Sequence, residues 1–131
     1  MKENIKVLII DDEIDLCYFV QKNLMRNGLF DVIFATNGED GIKLAGDELP
    51  DIILLDLFMP DMPGEDVAAC LQENAATANI PILYVTALVA EDDMADNKES
   101  KIGNNYILPK PVRTKKLIEM IVKVLRESSS S

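Results

Sequence analysis

Val7-Leu-Ile-Ile10 and Ile52-Ile-Leu-Leu55 are apolar at every position, each run bounded by polar residues. A strand with one wet face alternates apolar and polar side chains, so runs like these belong in a sheet covered on both faces, the parallel sheet of an α/β protein. The segments between such runs have the spacing of helices. Lys6–Ile10 is predicted as a first strand, and Asp15–Asn27 as a helix with Cys17, Val20 and Leu24 inward and Gly28 at its C-cap. A strand over Asp31–Ala35 precedes a helix capped by Asn37, with Ile42, Ala45 and Leu49 inward and Pro50 as its stop.

Asp51–Asp56 is predicted as a third strand, ending in a carboxylate, and Phe58–Gly64 as a turn-rich loop. A helix over Glu65–Asn74 with Val67, Cys70 and Leu71 inward follows, then a strand over Ile80–Thr86. Glu91–Ile102 reads as a polar fourth helix in which only Met94, Ala95 and Ile102 could pack. Asn105–Leu108 is the fifth strand, and Val112–Glu127 the last helix, striped by Leu117, Ile118, Ile121, Val122 and Leu125. Alternating β and α elements predict a doubly wound (βα)5, flavodoxin-like fold. It would have five parallel strands in the order 2-1-3-4-5, with helices on both faces. Residues 1–127 form one domain, and the serines at 128–131 read as a disordered tail or the start of a linker.

Charge and composition narrow the function. Thirteen basic against 23 acidic residues give a net charge of −10, which disfavours direct nucleic-acid binding and favours divalent cations and basic partner surfaces. No run approaches the ~20 apolar residues of a membrane span. The apolar stretch at the N-terminus is too short for a secretory signal, so a cytoplasmic location is expected. With no histidine in the chain, a Ser-His-Asp triad is excluded, and two cysteines are insufficient for a zinc site. Cys17 and Cys70 read as reduced thiols on apolar helix faces.

In open parallel sheets, sites form outside the carboxyl ends of the strands. Strand one ends at Asp11-Asp12-Glu13, strand three at Asp56, strand four at Thr86-Ala87, and strand five leads into Lys110-Pro111. In the 2-1-3-4-5 order these four ends converge. Taken singly, an acidic pair is usually a solvated loop, a strand-end Asp a helix cap, and a loop lysine merely hydrated.

Together and in this order, they resemble the response-regulator receiver family, to which the chemotaxis regulators belong. The further signatures are Leu-Phe-Met-Pro-Asp-Met-Pro-Gly after Asp56 and Gly-Asn-Asn-Tyr at 103–106. The resemblance spans Lys6 to about Glu127 and implies a switch in a two-component phosphorelay. A histidine kinase, a phosphotransfer protein or acetyl phosphate would phosphorylate Asp56. Mg2+ would be held by Asp12, Asp56 and the backbone carbonyl of Phe58, with Asp11 acting mostly through water. Three crowded carboxylates repel one another until a cation neutralises them, and magnesium prefers oxygen ligands.

The resemblance also implies that Lys110 contacts Asp56 and then the phosphoryl oxygens, aimed by a cis peptide to Pro111. Thr86 and Ala87 would sense the phosphoryl group, and Tyr106 would be the switch aromatic. The output face would comprise the fourth helix, fifth strand and last helix, a possible homodimer surface. Such a domain catalyses only its own phosphorylation and dephosphorylation. Phe58 and Leu88, bulky and apolar, are expected to flank the pocket and slow attacking water.

Two features depart from the family pattern: a segment between Thr86 and Lys110 about two residues longer than usual, and Asn104-Asn105 in place of a small-acidic pair. A haloacid-dehalogenase-type hydrolase would need a second Asp where Phe58 stands, and room for a cap. A flavodoxin-like cofactor binder would need a phosphate loop where Asp11-Asp12-Glu13 stands. A pseudo-receiver would lack the acceptor, an acidic-pair member or the lysine.

Overall fold

The computed structural model describes residues 4–26, 28–87 and 101–129. Strand β1 (Ile5–Ile10) leads to α1 (Ile14–Arg26), β2 (Phe30–Ala35), α2 (Gly38–Glu48), β3 (Ile52–Leu55), α3 (Gly64–Glu73) and β4 (Ile82–Thr86). A two-residue strand β5 (Lys101–Ile102), β6 (Asn105–Pro109) and α4 (Thr114–Ser129) complete the described chain. The sheet order is β2-β1-β3-β4-β6-β5, and every pair is parallel except β5 with β6. Without β5, this is the 2-1-3-4-5 order of the predicted flavodoxin-like sheet.

The unbroken apolar runs are explained by two cores. Successive side chains of a strand point to opposite faces. Val7 and Ile9 of β1, with Ile52 and Leu54 of β3, pack with α1 and α4. Leu8 and Ile10, with Ile53 and Leu55, pack with α2 and α3. All eight are buried, and each such side chain contributes about 1.5–3 kcal/mol on leaving water.

Helix ends follow the expected chemistry. The Asn37 side chain accepts from the Asp40 N–H at 2.8 Å and caps α2. After α1, Gly28 adopts φ 77, a left-handed conformation that glycine reaches without Cβ strain.

The structure corrects five expectations. Leu49 is exposed rather than inward, because it is the left-handed C-cap of α2, and helical periodicity stops one residue before it. Cys70 is exposed: the inner face of α3 is Gly64, Val67, Ala68 and Leu71, and position 70 falls beside that stripe. Val122 is more than a third exposed, since α4 turns Leu117, Met120, Ile121 and Val124 inward, with Ile118 and Leu125 half-buried at the edges. Lys101 and Ile102, assigned by sequence to the end of the fourth helix, form a hairpin with Asn105 and Tyr106. Gly103, at φ 60, makes the turn that allows it. The remainder of that predicted helix, 91–100, and Leu88 lie outside the described residues. The helix α4 also runs to Ser129, two serines into the expected tail.

Candidate functional site

The sheet register builds the site. Ile10 is level with both Ala35 and Leu55, Leu55 with Tyr84, and Thr86 with Pro109. The ladder bonds continue one residue past the strands: Asp11 N–H donates to Ala35 O at 3.2 Å, Asp56 N–H to Ile10 O at 3.0 Å, and Lys110 N–H to Thr86 O at 2.9 Å. The residues following β1, β3 and β6, and the last residue of β4, are thereby set at one edge by backbone geometry alone.

Asp11, Asp12 and Asp56 each place a carboxylate oxygen within 4.8 Å of the others. Asp11 and Asp56 are buried and Asp12 is exposed. Ile9, Leu54, Val85, Val112 and Leu117 back the two buried acids, which limits water on that side. Like charges this close repel strongly where water is scarce. A hard cation with oxygen ligands suits this donor set, with the exposed Asp12 on the open side.

Lys110 supplies the opposing charge. Its Nζ lies 2.5 Å from Glu13 Oε1, 2.8 Å from Asp11 Oδ2 and 3.5 Å from Asp56 Oδ2. Burial works against the charged ammonium, but its hydrogen bonds to Asp11 and Glu13 and the charges of Asp11 and Asp56 outweigh burial. Its pKa rises, so the lysine stays charged throughout the neutral range. The peptide bond from Lys110 to Pro111 is cis. Burial pushes the Asp11 carboxyl above its ordinary value, against the pull of Lys110. Beneath it, the Cys17 thiol donates to Asp11 O at 3.4 Å, and burial, then the Asp11 charge, pushes its pKa up to about 12.

The loop after β3 is held at both ends. Asp56 Oδ1 accepts from Phe58 N–H at 3.3 Å, and Asp61 Oδ2 accepts from Gly38 N–H at 2.9 Å. Gly64 N–H donates to Leu57 O at 2.8 Å, and any Cβ at Gly64 would drive into the Asp56 carbonyl and the Leu57 Cα. Phe58, two residues after Asp56, is 56% exposed. Thr86 is buried at the end of β4, and Ala87 is exposed beside it.

Tyr106 lies on β6, away from the carboxylates and half-buried. Its hydroxyl donates to Glu127 Oε1 at 2.9 Å and Oε2 at 3.0 Å. The Lys101 and Lys123 ammoniums lie 4.3 and 4.9 Å from the ring centroid. Sequence reasoning gave Glu13 no role beyond its place in the acidic run after the first strand, and gave Glu127 and the two lysines none. Only the neighbourhood of Glu13 to the acidic pair hinted at a role.

A family model described as the response regulator receiver domain matches residues 7–122. The chain belongs to the response regulator receiver family. This receiver domain is 35% identical over 125 residues to the alkaline phosphatase synthesis transcriptional regulatory protein PhoP of Bacillus subtilis, covering 95% of this chain and 50% of that protein. It is 35% identical over 120 residues to protein PilH of Pseudomonas aeruginosa, covering 92% of this chain and 97% of PilH. It thus spans about half the length of PhoP and nearly all of PilH.

The chemotaxis protein CheY4 of Vibrio cholerae superposes with a TM-score of 0.78 at 26% identity, covering 92% of this chain and 98% of that one. Receiver domains are phosphoryl-accepting switches of two-component signalling, and the flavodoxin-like fold is that of the chemotaxis regulators. Histidine kinases and phosphotransfer proteins are their partners as a class. Among the described residues, no helix is long and apolar enough to cross a membrane.

Proposed function

We propose that Asp56 is the phosphoacceptor of this receiver domain. The observation that carries the reading is the convergence of Asp11, Asp12 and Asp56 on one edge with the Lys110 ammonium 3.5 Å from Asp56. An Asp56 carboxylate oxygen attacks phosphorus, and the phosphorus bond to the donor breaks. The electron pair departs on the imidazole of a phosphohistidine or on acetate, leaving an acyl phosphate.

Asp12, Asp56 and the Phe58 carbonyl would hold magnesium, with Asp11 contributing through water because Lys110 already engages it. Bound there, the metal neutralises charge on the transferring group. Lys110 meets the phosphoryl oxygens, Thr86 donates its hydroxyl to one of them, and the Ala87 N–H reaches another. The inward pull on Thr86 lets Tyr106 turn in, which changes the face formed by β6 and α4. That face is the surface for a partner or a second copy of the chain, and signalling is a population shift between two conformations.

A histidine kinase or phosphotransfer protein is the physiological donor. The domain works in the cytoplasm and turns over no external metabolite. Intact-mass measurement after incubation with acetyl phosphate and magnesium tests the assignment. One phosphate adduct is expected on the wild type and none on Asp56→Asn. An adduct on both proteins, or on neither, refutes it.

A further inference from the structure

The oxygen nearest the Lys110 ammonium belongs to neither Asp56 nor the acidic pair, but to Glu13. We propose that Glu13 is a positioning residue that holds Lys110 back from the phosphoacceptor and thereby sets how fast Asp56 takes up a phosphoryl group. This rests on the reading of Asp56 and Lys110 above.

An ammonium has three N–H donors. Three carboxylates already surround this one, so new oxygens on Asp56 gain its help only if one of them gives way. The side chains of Asp11 and Asp56 are walled in, at 3% and 7% exposed, whereas that of Glu13 is 60% exposed. Glu13 is therefore the partner that yields, because its carboxylate re-enters water at little cost. Its backbone stays anchored meanwhile: the Glu13 N–H donates to Asp11 Oδ1 at 2.9 Å, and its carbonyl accepts from the Cys17 N–H at 3.1 Å. The side chain is a swinging arm on a fixed post.

The pairing favours the unreacted state, so Glu13 raises the barrier to phosphoryl uptake. In the acyl phosphate the lysine has already left Glu13, and the barrier to hydrolysis is unaffected. The two rates should separate.

The test compares wild type with Glu13→Gln and Glu13→Ala, by mass-detected uptake from acetyl phosphate with magnesium and by decay of the adduct. Beryllium fluoride, an inert phosphoryl mimic, is titrated with magnesium by calorimetry. An exposed ion pair of this kind corresponds to about a two- to fivefold change. Both variants should take up phosphate faster by that factor and bind beryllium fluoride more tightly, with decay unchanged. Equal or slower uptake, or an effect confined to decay, overturns the proposal. If Glu13 merely steadied Lys110, the variants would be slower. Failure of the wild type to form an adduct would overturn the Asp56 assignment and this proposal with it. A wild-type adduct with unchanged variant uptake would overturn this proposal alone.

Discussion

The two cysteines carry the same functional group in opposite settings. Cys17 lies on the buried face of α1 under the Asp11 carbonyl, while Cys70 stands on the outside of α3. A thiol reacts as its thiolate. Ellman-type labelling at mildly alkaline pH should modify one thiol per folded chain, Cys70, and both in strong guanidinium; two fast thiols in the folded protein would contradict the burial of Cys17. The folded Cys17 value is raised, so its contribution is complete below the ordinary thiol value of 9.0 and is lost as pH rises through about 12. Sequence spacing placed Cys17 correctly on the 17-20-24 stripe. It misjudged Cys70, because the Val67–Leu71 line can be widened towards either Ala68 or Cys70, which lie on opposite sides of it, and only the assembled fold buries the Ala68 side. Glu13 was illegible for another reason: its partner, Lys110, is 97 residues away in sequence.

Among the elements, β1 and β3 could be read in full, because apolar runs on both faces admit no other environment. The edge hairpin could not. Lys101 and Ile102 are too short a segment to show a period of their own, and the polar stretch before them has none. The junction of β3 with α3 was legible as a turn from its prolines and Gly64. The reason position 64 must be glycine, the passage of the Asp56 carbonyl and Leu57 against it, exists only in three dimensions. Gly64→Ala should therefore do more than rigidify a turn. Overpacking against backbone costs about 1–3 kcal/mol, measurable by urea unfolding. The displaced Asp56–Leu57 segment should also slow phosphoryl uptake. Unchanged stability and uptake would mean that α3 shifts aside freely.

For the whole molecule, the chain folds around its own electrostatic conflict. Every buried side-chain polar atom among the described residues has a hydrogen-bond partner, yet the protein carries a net charge of −10, and three carboxylates crowd one sheet edge. A ligand that binds only the folded state stabilises it by mass action. Magnesium at ten times its dissociation constant should add about 1.4 kcal/mol. Thermal melts should shift upward relative to EDTA for wild type, but much less for Asp12→Asn; an equal shift in both would place the ion elsewhere. The convergence of this edge was foreseeable from strand order and strand-end residues, because parallel topology leaves few ways to arrange five strands. The three-way sharing of Lys110 was not, since it depends on side-chain reach within the assembled pocket.

The grip on Tyr106 differs in kind from the chemistry at Asp56. Its hydroxyl is tied to the exposed Glu127, and its ring lies near the ammoniums of the exposed Lys101 and the half-buried Lys123. Dissolved ions weaken attractions of that sort and leave enclosed ones nearly untouched. On the proposed reading, with Tyr106 as the switch aromatic, readout is coupled to the ionic strength of the surroundings more strongly than the buried contact of Lys110 with Asp11 is. The same covalent event can then be read out more or less readily as the salt content of the medium changes.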